Sequence, residues 1–327
     1  MKILVVPPIL YDLEEINSSF VELEEKTNNN RINPSEAREI VKKLIPSLIS
    51  IIKRAIEENW GKEEIRAKLR DTWRIHGESS FIKHLQEWPY GFMGDFVAIN
   101  NIVDKKELSE HPLGSILGEY ALESPIAQQH REKIRIQAAL IETICQKREE
   151  AIIVSAAAGA SRDIELVQDI IKKTGAKIYL IDSDQNALID SIARLEKIKN
   201  QIETRTVNVF TLPKFLKSLV ENGQNPDLVF AGGLLDYLNN KLATQFVRMV
   251  WDQLKGQDSL FMFTNIAEGN PFRPWIETMA NWKLIERSEK EMRELSNLGN
   301  SKHQSLEKDP TGLTWIVKAS DNSDCFK

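Results

Sequence analysis

Cysteine is scarce in this chain. Cys145 and Cys325 are its only two in 327 residues, too few for a disulfide framework and without metal-ligand spacing. The count excludes a disulfide-stapled secreted scaffold, fits a reducing cytoplasm and gives no reason to expect a metal. Basic charge is not in excess either. Lys and Arg number 43 against 48 Asp and Glu, for a formal net charge of -5 and a pI of about 5.7, so no nucleic acid partner is expected. Long apolar runs are missing, and no stretch approaches a membrane span. Residues 1–10 are apolar, but the run is short, holds Pro7 and Pro8, and meets Asp12, Glu14 and Glu15 without a cleavage-like site, unlike a signal peptide. No internal repeat is visible. What remains is ordinary for a globular protein, 42% hydrophobic and 28% charged, with length for one large or two modest domains.

The most informative stretch is residues 151–182, AIIVSAAAGASRDIELVQDIIKKTGAKIYLID. Ile152, Ile153 and Val154 form a β-branched run, residues 156–160 are small, Ile164, Val167, Ile170 and Ile171 recur at helical spacing, and residues 177–181 resume a strand. This is a βαβ unit. Small residues at its turn let a backbone approach a ligand, and a helix N-terminus following it points N–H groups there. Asp182 closes the second strand about 20 residues after Gly159, where a carboxylate can accept both hydroxyls of a ribose. The turn lacks GxGxxG, Gly159 being its one glycine, so a dinucleotide pyrophosphate and a nicotinamide oxidoreductase are discouraged. S-adenosylmethionine carries no phosphate and asks only for small residues beside its methionine portion and an acid on its ribose. A βαβ unit with no ligand is the plainer alternative.

Taken in order, residues 1–34 read as strand-like and then acidic and polar, with TNNNRINP at 27–34 as a linker. A helix follows from Ser35 to near Trp60, its apolar face Val41, Leu44, Ile45, Leu48, Ile51, Ile52 and Ile56, and a second covers residues 63–75. Residues 87–96, EWPYGFMGDF, are a poor helix and a poor strand, and suit a rigid loop presenting rings and one carboxylate, or a plain turn. Residues 125–147 read as a long helix carrying His130, Arg131 and Arg135. Beyond Asp182 the spacing predicts helices at 187–199, 214–221, 242–254 and 274–281, and strands at 206–210, 227–231, 259–265, 282–286 and 314–318. Alternating elements imply a mostly parallel sheet with ligands at the carboxyl ends of its strands. The last connection, 287–312, is long and polar, which favours an antiparallel final strand.

Seven strands with the last reversed, a small-residue turn after the first and an acid after the second resemble the class I S-adenosylmethionine-dependent methyltransferases. FAGGLLDYLNN at 230–240, FTNIAEGNPFRPWIE at 263–277 and NWKLIERSEKEMREL at 281–295 are similar to the methyltransferases of extracellular factor 3-hydroxypalmitic acid methyl ester biosynthesis. WPYGFMGDF at 88–96 and the segment 128–131 resemble the region preceding the core in that family. The resemblance covers roughly residues 80–300. It implies an α/β, Rossmann-like seven-stranded sheet at 148–327, mostly parallel with the last strand antiparallel, behind a mainly helical lid and substrate region at 1–147. It departs from the family where a second glycine is usual and Ala156-Ala157-Ala158 stands here, which narrows the pocket beside the methionine portion.

Roles implied by the resemblance follow. Ser155, Ala157 and Gly159 would line the methionine end, Asp182 would hold the ribose, Ser183 and Asp184 would flank it, and Asn208, Val209 and Phe210 would approach the adenine. Tyr90 and Gly94 would join the cofactor site, and Ala231 and Gly232 would sit under the sulfonium, with Asp236 and Tyr237 close by. A carboxylate acceptor is ionised at neutral pH and needs no general base, whereas a hydroxyl or amine would need one, for which His130, Asp95 and Tyr237 are candidates. His130 also reads as a surface or core histidine, and Asp95 as a helix cap. Arg131 and Asp236 are candidate acceptor contacts. So are Asn265, at a strand end, and Trp275, although core packing is the commoner fate of such a tryptophan. The expected protein is a cytoplasmic small-molecule methyltransferase using S-adenosylmethionine, most simply esterifying a carboxylate. N- or hydroxyl O-methylation, and cofactor binding without turnover, are the alternatives. The first 30 residues are open to two readings, an arm pairing with a second copy in a homodimer, or part of the lid.

Overall fold

The computed structural model describes residues 8–297 and 300–326 and contains two compact units. The strand-like reading of the first residues falls on residues 1–7, outside the described residues. No helix among the described residues is long and apolar enough to cross a membrane.

The first unit extends to Gln128 and includes Pro271–Lys283. Its elements are α1 (Pro8–Asn28), α2 (Pro34–Glu57), α3 (Lys62–Lys68), α4 (Arg70–His76), α5 (Ser80–Glu87), α6 (Phe96–Asp104), α7 (Pro112–Glu123) and α14 (Arg273–Met279). Helix α1 corrects the reading of the stretch before residue 27 as merely acidic and polar. Ile9, Leu13, Ile16, Phe20 and Leu23 recur every three or four residues and are buried, while Glu14, Glu15, Glu22 and Glu25 hold the exposed face and mask that period. The break before α2 is confined to residues 29–33. There Asn33 Oδ1 accepts from the Glu36 amide at 3.0 Å and Glu36 Oε2 accepts from the Asn33 amide at 2.9 Å, a capping box that fixes where α2 starts. Val41, Ile45, Leu48 and Ile52 are buried as the period predicts, whereas Ile56 lies off that face and is exposed. The helix expected at 63–75 breaks at Leu69 (φ -101°, ψ 27°) into α3 and α4.

The second unit holds Gln129–Asn270 and Leu284–Lys327. The division falls within α8 (Pro125–Lys147), not at residue 147. The reason is packing: Ala138, Ile141, Ile144 and Cys145 of α8 share a core with the sheet residues Ile153, Ile178, Leu180, Leu228, Phe230 and Met262. Residues 271–283 likewise leave the expected second domain, because Trp275 packs with His76 and Tyr120.

The sheet contains β1 (Ile152–Ala156), β2 (Lys177–Asp182), β3 (Ile202–Thr206), β4 (Leu228–Ala231), β5 (Leu260–Ile266), β6 (His303–Lys308) and β7 (Thr314–Ser320) in the order β3-β2-β1-β4-β5-β7-β6. Strands β1 to β5 pair in parallel, and β7 runs antiparallel to both β5 and β6. The connecting helices are α9 (Arg162–Leu166), α10 (Gln168–Thr174), α11 (Gln185–Arg194), α12 (Leu212–Glu221), α13 (Asn240–Leu254) and α15 (Glu289–Ser296). Alternate residues of the central strands serve opposite faces. Val154, Tyr179 and Ile181 pack with Leu216, Phe246 and Val250 of α12 and α13, and their neighbours pack on the α8 side.

Both edge strands were misplaced by the apolar pattern. β3 is IETRT at 202–206, not 206–210, and residues 209–211 form a short 3₁₀ turn. β6 is HQSLEK, within the connection read as long and polar, while residues 282–286 form no strand and Arg287 bridges to Ala267. Edge strands exposed to water carry polar residues, and so lack the signal that marks β1, β4 and β5.

Candidate functional site

Strand β1 lies between β2 and β4, so the chain leaves it in opposite directions and a crevice opens at the carboxyl ends of these strands. Ser155 is buried in β1 opposite Leu180 and Phe230. In the turn that follows, Ala157, Gly159 and Ser161 adopt left-handed backbone, with φ of 53°, 51° and 47°. For a residue with a Cβ this costs about 1–2 kcal/mol. The turn is held by partners: the Ala158 amide donates to Ile181 O at 3.1 Å, and Ser191 Oγ donates to Gly159 O at 3.0 Å. A long helix does not start here. The helix that follows the turn, α9, has only five residues and stops at Val167 (φ -122°), where α10 takes over.

Asp182 joins this turn to the end of β2. Its Oδ2 accepts from the Gly159 amide and its Oδ1 from the Asp184 amide, both at 2.8 Å. Burial pushes its carboxyl above the ordinary value, against the lowering effect of those N–H groups. Ser183 is exposed, and the Asp184 side chain caps α11 through the Asn186 amide at 2.8 Å. Asn208 is exposed and its Oδ1 accepts from the Phe210 amide at 2.9 Å, while Val209 and Phe210 are half-buried, Phe210 edge-on to Phe246.

At the end of β4, Ala231 is buried and Gly232-Gly233 lies beneath two side chains of α8 that the sequence reading did not single out. A Cβ at Gly232 would overlap Gln137 Nε2, and a Cβ at Gly233 would stand 2.9 Å from Lys133 Nζ. Both side chains are buried, and Gln137 Nε2 has no hydrogen-bond partner. Lys133 Nζ is 4.0 Å from Asp236 Oδ2, and burial lowers its pKa against the attraction of Asp236, Asp309 and Asp163. Asp163, fully buried, is raised to about 6 by desolvation. Asp236 Oδ1 accepts from the Ile266 amide at 2.6 Å, and Tyr237, in the same short 3₁₀ turn, is half-exposed. His130 and Arg131 are both buried, although adjacent on the helix. Burial, with the charges of Lys133 and Arg131, holds the His130 imidazole well below its ordinary pKa and so neutral. Arg135 is exposed and pairs with Glu132 at 2.7 Å.

Asn265 requires a correction as an acceptor contact. It is fully buried, its Nδ2 donates to Ile266 O and Ile285 O at 2.8 Å, and its Oδ1 accepts from Arg287. Arg287, also missed, donates in addition to Leu235 O at 2.8 Å and Leu238 O at 2.5 Å, so this pair holds the loop after β4 rather than a ligand. Asp309 is occupied by the amides of Thr311 and Thr314 and the Thr311 hydroxyl. The periodicity that turned His130 inward carries Lys133 and Gln137 with it, at i+3 and i+7, and was the available signal for both.

The remaining candidates belong to the first unit. Tyr90 packs on Phe96 with ring centroids 4.7 Å apart, and Gly94 takes φ of 61°. Asp95 caps α6 through the Ala98 amide at 2.9 Å and meets His84 Nε2 at 2.8 Å, so both carboxylate oxygens serve the fold. That corrects its assignment as a base. Trp275 is also core: it is buried and its Nε1 donates to His76 Nε2 at 3.1 Å.

A sheet ordered 3-2-1-4-5-7-6 with β7 reversed, and a carboxylate closing β2 against the turn after β1, has the class I, Rossmann-like methyltransferase fold. No family model and no curated protein matches the chain. Among solved structures, it is similar to one from Bordetella parapertussis described as a possible exported protein, with 14% identity over 89% of this chain and 97% of that one and a TM-score of 0.61. Magnesium protoporphyrin IX methyltransferase from Synechocystis PCC 6803, solved with S-adenosylhomocysteine, gives 10% identity, coverage of 72% and 95%, and a TM-score of 0.47. A SAM-dependent methyltransferase from Archaeoglobus fulgidus gives 8%, 57% and 93%, and 0.42. At such identities the likeness shows the fold alone.

Proposed function

We propose that this protein is an S-adenosylmethionine-dependent methyltransferase that methylates a carboxylate oxygen of a small molecule by direct in-line transfer. The observation that carries this reading is Asp182, bonded to Gly159 at the crevice of a methyltransferase sheet. The residues fit the cofactor. Asp182 takes backbone N–H groups from Gly159, Asp184 and Ser183, which leaves its carboxylate a lone pair for a ribose hydroxyl. A Cβ at Gly159 would meet nothing closer than Ala157 O at 4.0 Å, so the turn is open on that side. When bound, S-adenosylmethionine supplies an electrophilic methyl group on a sulfonium.

The chain's own task is alignment and exclusion of water, since near-attack geometry supplies roughly 7–11 kcal/mol. A carboxylate acceptor arrives ionised and asks for no base. The family resemblance of residues 230–240, 263–277 and 281–295 supports that acceptor, on a hydroxylated acyl chain. The second reading is a hydroxyl or amine acceptor, for which His130, buried on α8, is the candidate base; burial and the charges of Lys133 and Arg131 lower its pKa and so weaken it in that role.

Calorimetric titration with S-adenosylmethionine and S-adenosylhomocysteine, with NAD as control, tests the cofactor. Micromolar binding is expected, and none would sink the assignment. Asp182→Ala should weaken binding by roughly 1.5–3 kcal/mol. A folded variant of unchanged affinity would remove Asp182 from the ribose. Mass spectrometry of acceptor pools for a gain of one methyl group then separates the two acceptors, and binding without product from any pool would favour a non-catalytic protein.

A further inference from the structure

The loop after β4 carries a feature that the methyltransferase fold does not itself require. Lys133 and Gln137 stand one helical turn apart on α8, and both lie directly on Gly232-Gly233. Gly233 takes φ of 102°, and the nearest atoms to a Cβ there would be Lys133 Nζ and Asp236 Oδ2. Glycine at both positions is what lets the two polar ends reach the backbone.

These ends are under-used. The 4.0 Å between Lys133 Nζ and Asp236 is an ion-pair distance, longer than a hydrogen bond, so the ammonium keeps donors to give. Asp236 is already engaged through its other oxygen by the Ile266 amide. Gln137 Nε2 is buried with no partner at all. A native structure rarely leaves a buried N–H unpaired, and such a group commonly marks where a ligand completes it. Two adjacent donors, one charged and one neutral, match the two oxygens of a carboxylate. A doubly charged phosphate fits poorly, because Asp163, Asp236 and Asp309 all surround the same lysine.

We propose that Lys133 and Gln137 form a carboxylate-binding pair that fixes one carboxylate of the bound ligands beside Gly232. The inference rests on the methyltransferase reading and deepens it. The carboxylate comes from the methionine portion of the cofactor or from the acceptor, and the chemistry of recognition is the same for both.

Titration calorimetry on the full chain separates these sources, with Lys133→Met and Gln137→Leu as variants and circular dichroism to confirm folding. Gln137→Leu leaves no partner stranded and keeps the test open if Lys133→Met does not fold. The probes are S-adenosylhomocysteine, its decarboxylated analogue, and 3-hydroxypalmitate added to the S-adenosylhomocysteine complex. If the cofactor is gripped, wild type binds S-adenosylhomocysteine roughly 10- to 100-fold more tightly than the analogue, and the variants erase the difference. If the acceptor is gripped, S-adenosylhomocysteine affinity stays constant and 3-hydroxypalmitate binding is lost in the variants. Variants that bind S-adenosylhomocysteine as wild type does, with no loss of 3-hydroxypalmitate binding, would overturn this inference alone. A wild-type protein that binds no S-adenosylhomocysteine would overturn the methyltransferase reading, and this inference with it.

Discussion

In the first unit, His76 and Asp95 find every partner they need among neighbouring helices, whereas in the second Gln137 Nε2 and Ser161 Oγ are buried with none. His76 shows what a spent polar group looks like. Its Nδ1–H donates to Thr72 O at 2.8 Å, which leaves Nε2 unprotonated to accept from Trp275 Nε1. Both ring nitrogens are used, the tautomer is fixed, and no capacity is left for chemistry. Around Gly232 the arrangement is the reverse: polar groups have been carried into the interior and left with capacity. A buried polar group whose bonds are closed belongs to architecture, and the open one at Gln137 is what the carboxylate proposal rests on.

The contrast also holds inside the second unit, where Arg287 is spent and Gln137 is not, and that pair gives the largest and smallest expected effects. Arg287→Leu should cost about 3–5 kcal/mol in urea unfolding, because Asn265 Oδ1, Leu235 O and Leu238 O lose a buried donor together. A loss below about 1 kcal/mol would mean that those acceptors are solvated after all.

His76→Phe sharpens the comparison through pH. Burial holds the His76 pKa at about 4, below the 6.5 of an unfolded histidine. Below pH 6.5 the unfolded chain takes up a proton that the folded chain refuses, so this contribution is complete above pH 6.5 and is lost as pH falls towards 4. Wild type should therefore lose about 3 kcal/mol more than His76→Phe across that interval in pH-dependent unfolding. Parallel curves for the two proteins would show that the His76 site admits a proton.

Ala157→Gly acts in the opposite direction. With φ of 53°, Ala157 occupies a conformation that suits glycine, and relief of its Cβ should stabilise the protein by about 1 kcal/mol in thermal unfolding. Tighter cofactor binding by the same variant would link that alanine to the methionine end; a lower midpoint would show that its methyl group packs usefully. Gln137→Leu should be smallest, from neutral to about 1 kcal/mol stabilising, since no hydrogen bond is lost. A clear destabilisation would place Gln137 with the spent groups.

Much of this contrast was hidden from the sequence for physical reasons. The central strands were legible because Ile153, Val154 and their counterparts in β2, β4 and β5 are apolar and buried. β3 and β6, wet on their outer sides, carry IETRT and HQSLEK and look like loop. Asp182 could be found from its spacing to Gly159. Asn265 was misread because a strand end is where ligands bind, and nothing local announces that Arg287, 22 residues later, turns back to claim its oxygen. Lys133 and Gln137 stayed unseen for a related reason. Their helical period was visible, but what they cover is a glycine pair nearly a hundred residues away in sequence, a distance that no local pattern bridges.

The overlap that a side chain at Gly232 would make with Gln137 ties those two positions together over evolutionary time. The constraint runs one way: a larger residue at 232 is admissible only in a lineage where 137 has already become small, whereas a shorter residue at 137 is tolerated alone and releases the constraint on 232. Among relatives of this chain bulk at 232 should appear only beside a small residue at 137, and a lineage that swaps bulk from one to the other would have rebuilt the floor of its site without altering the sheet beneath it.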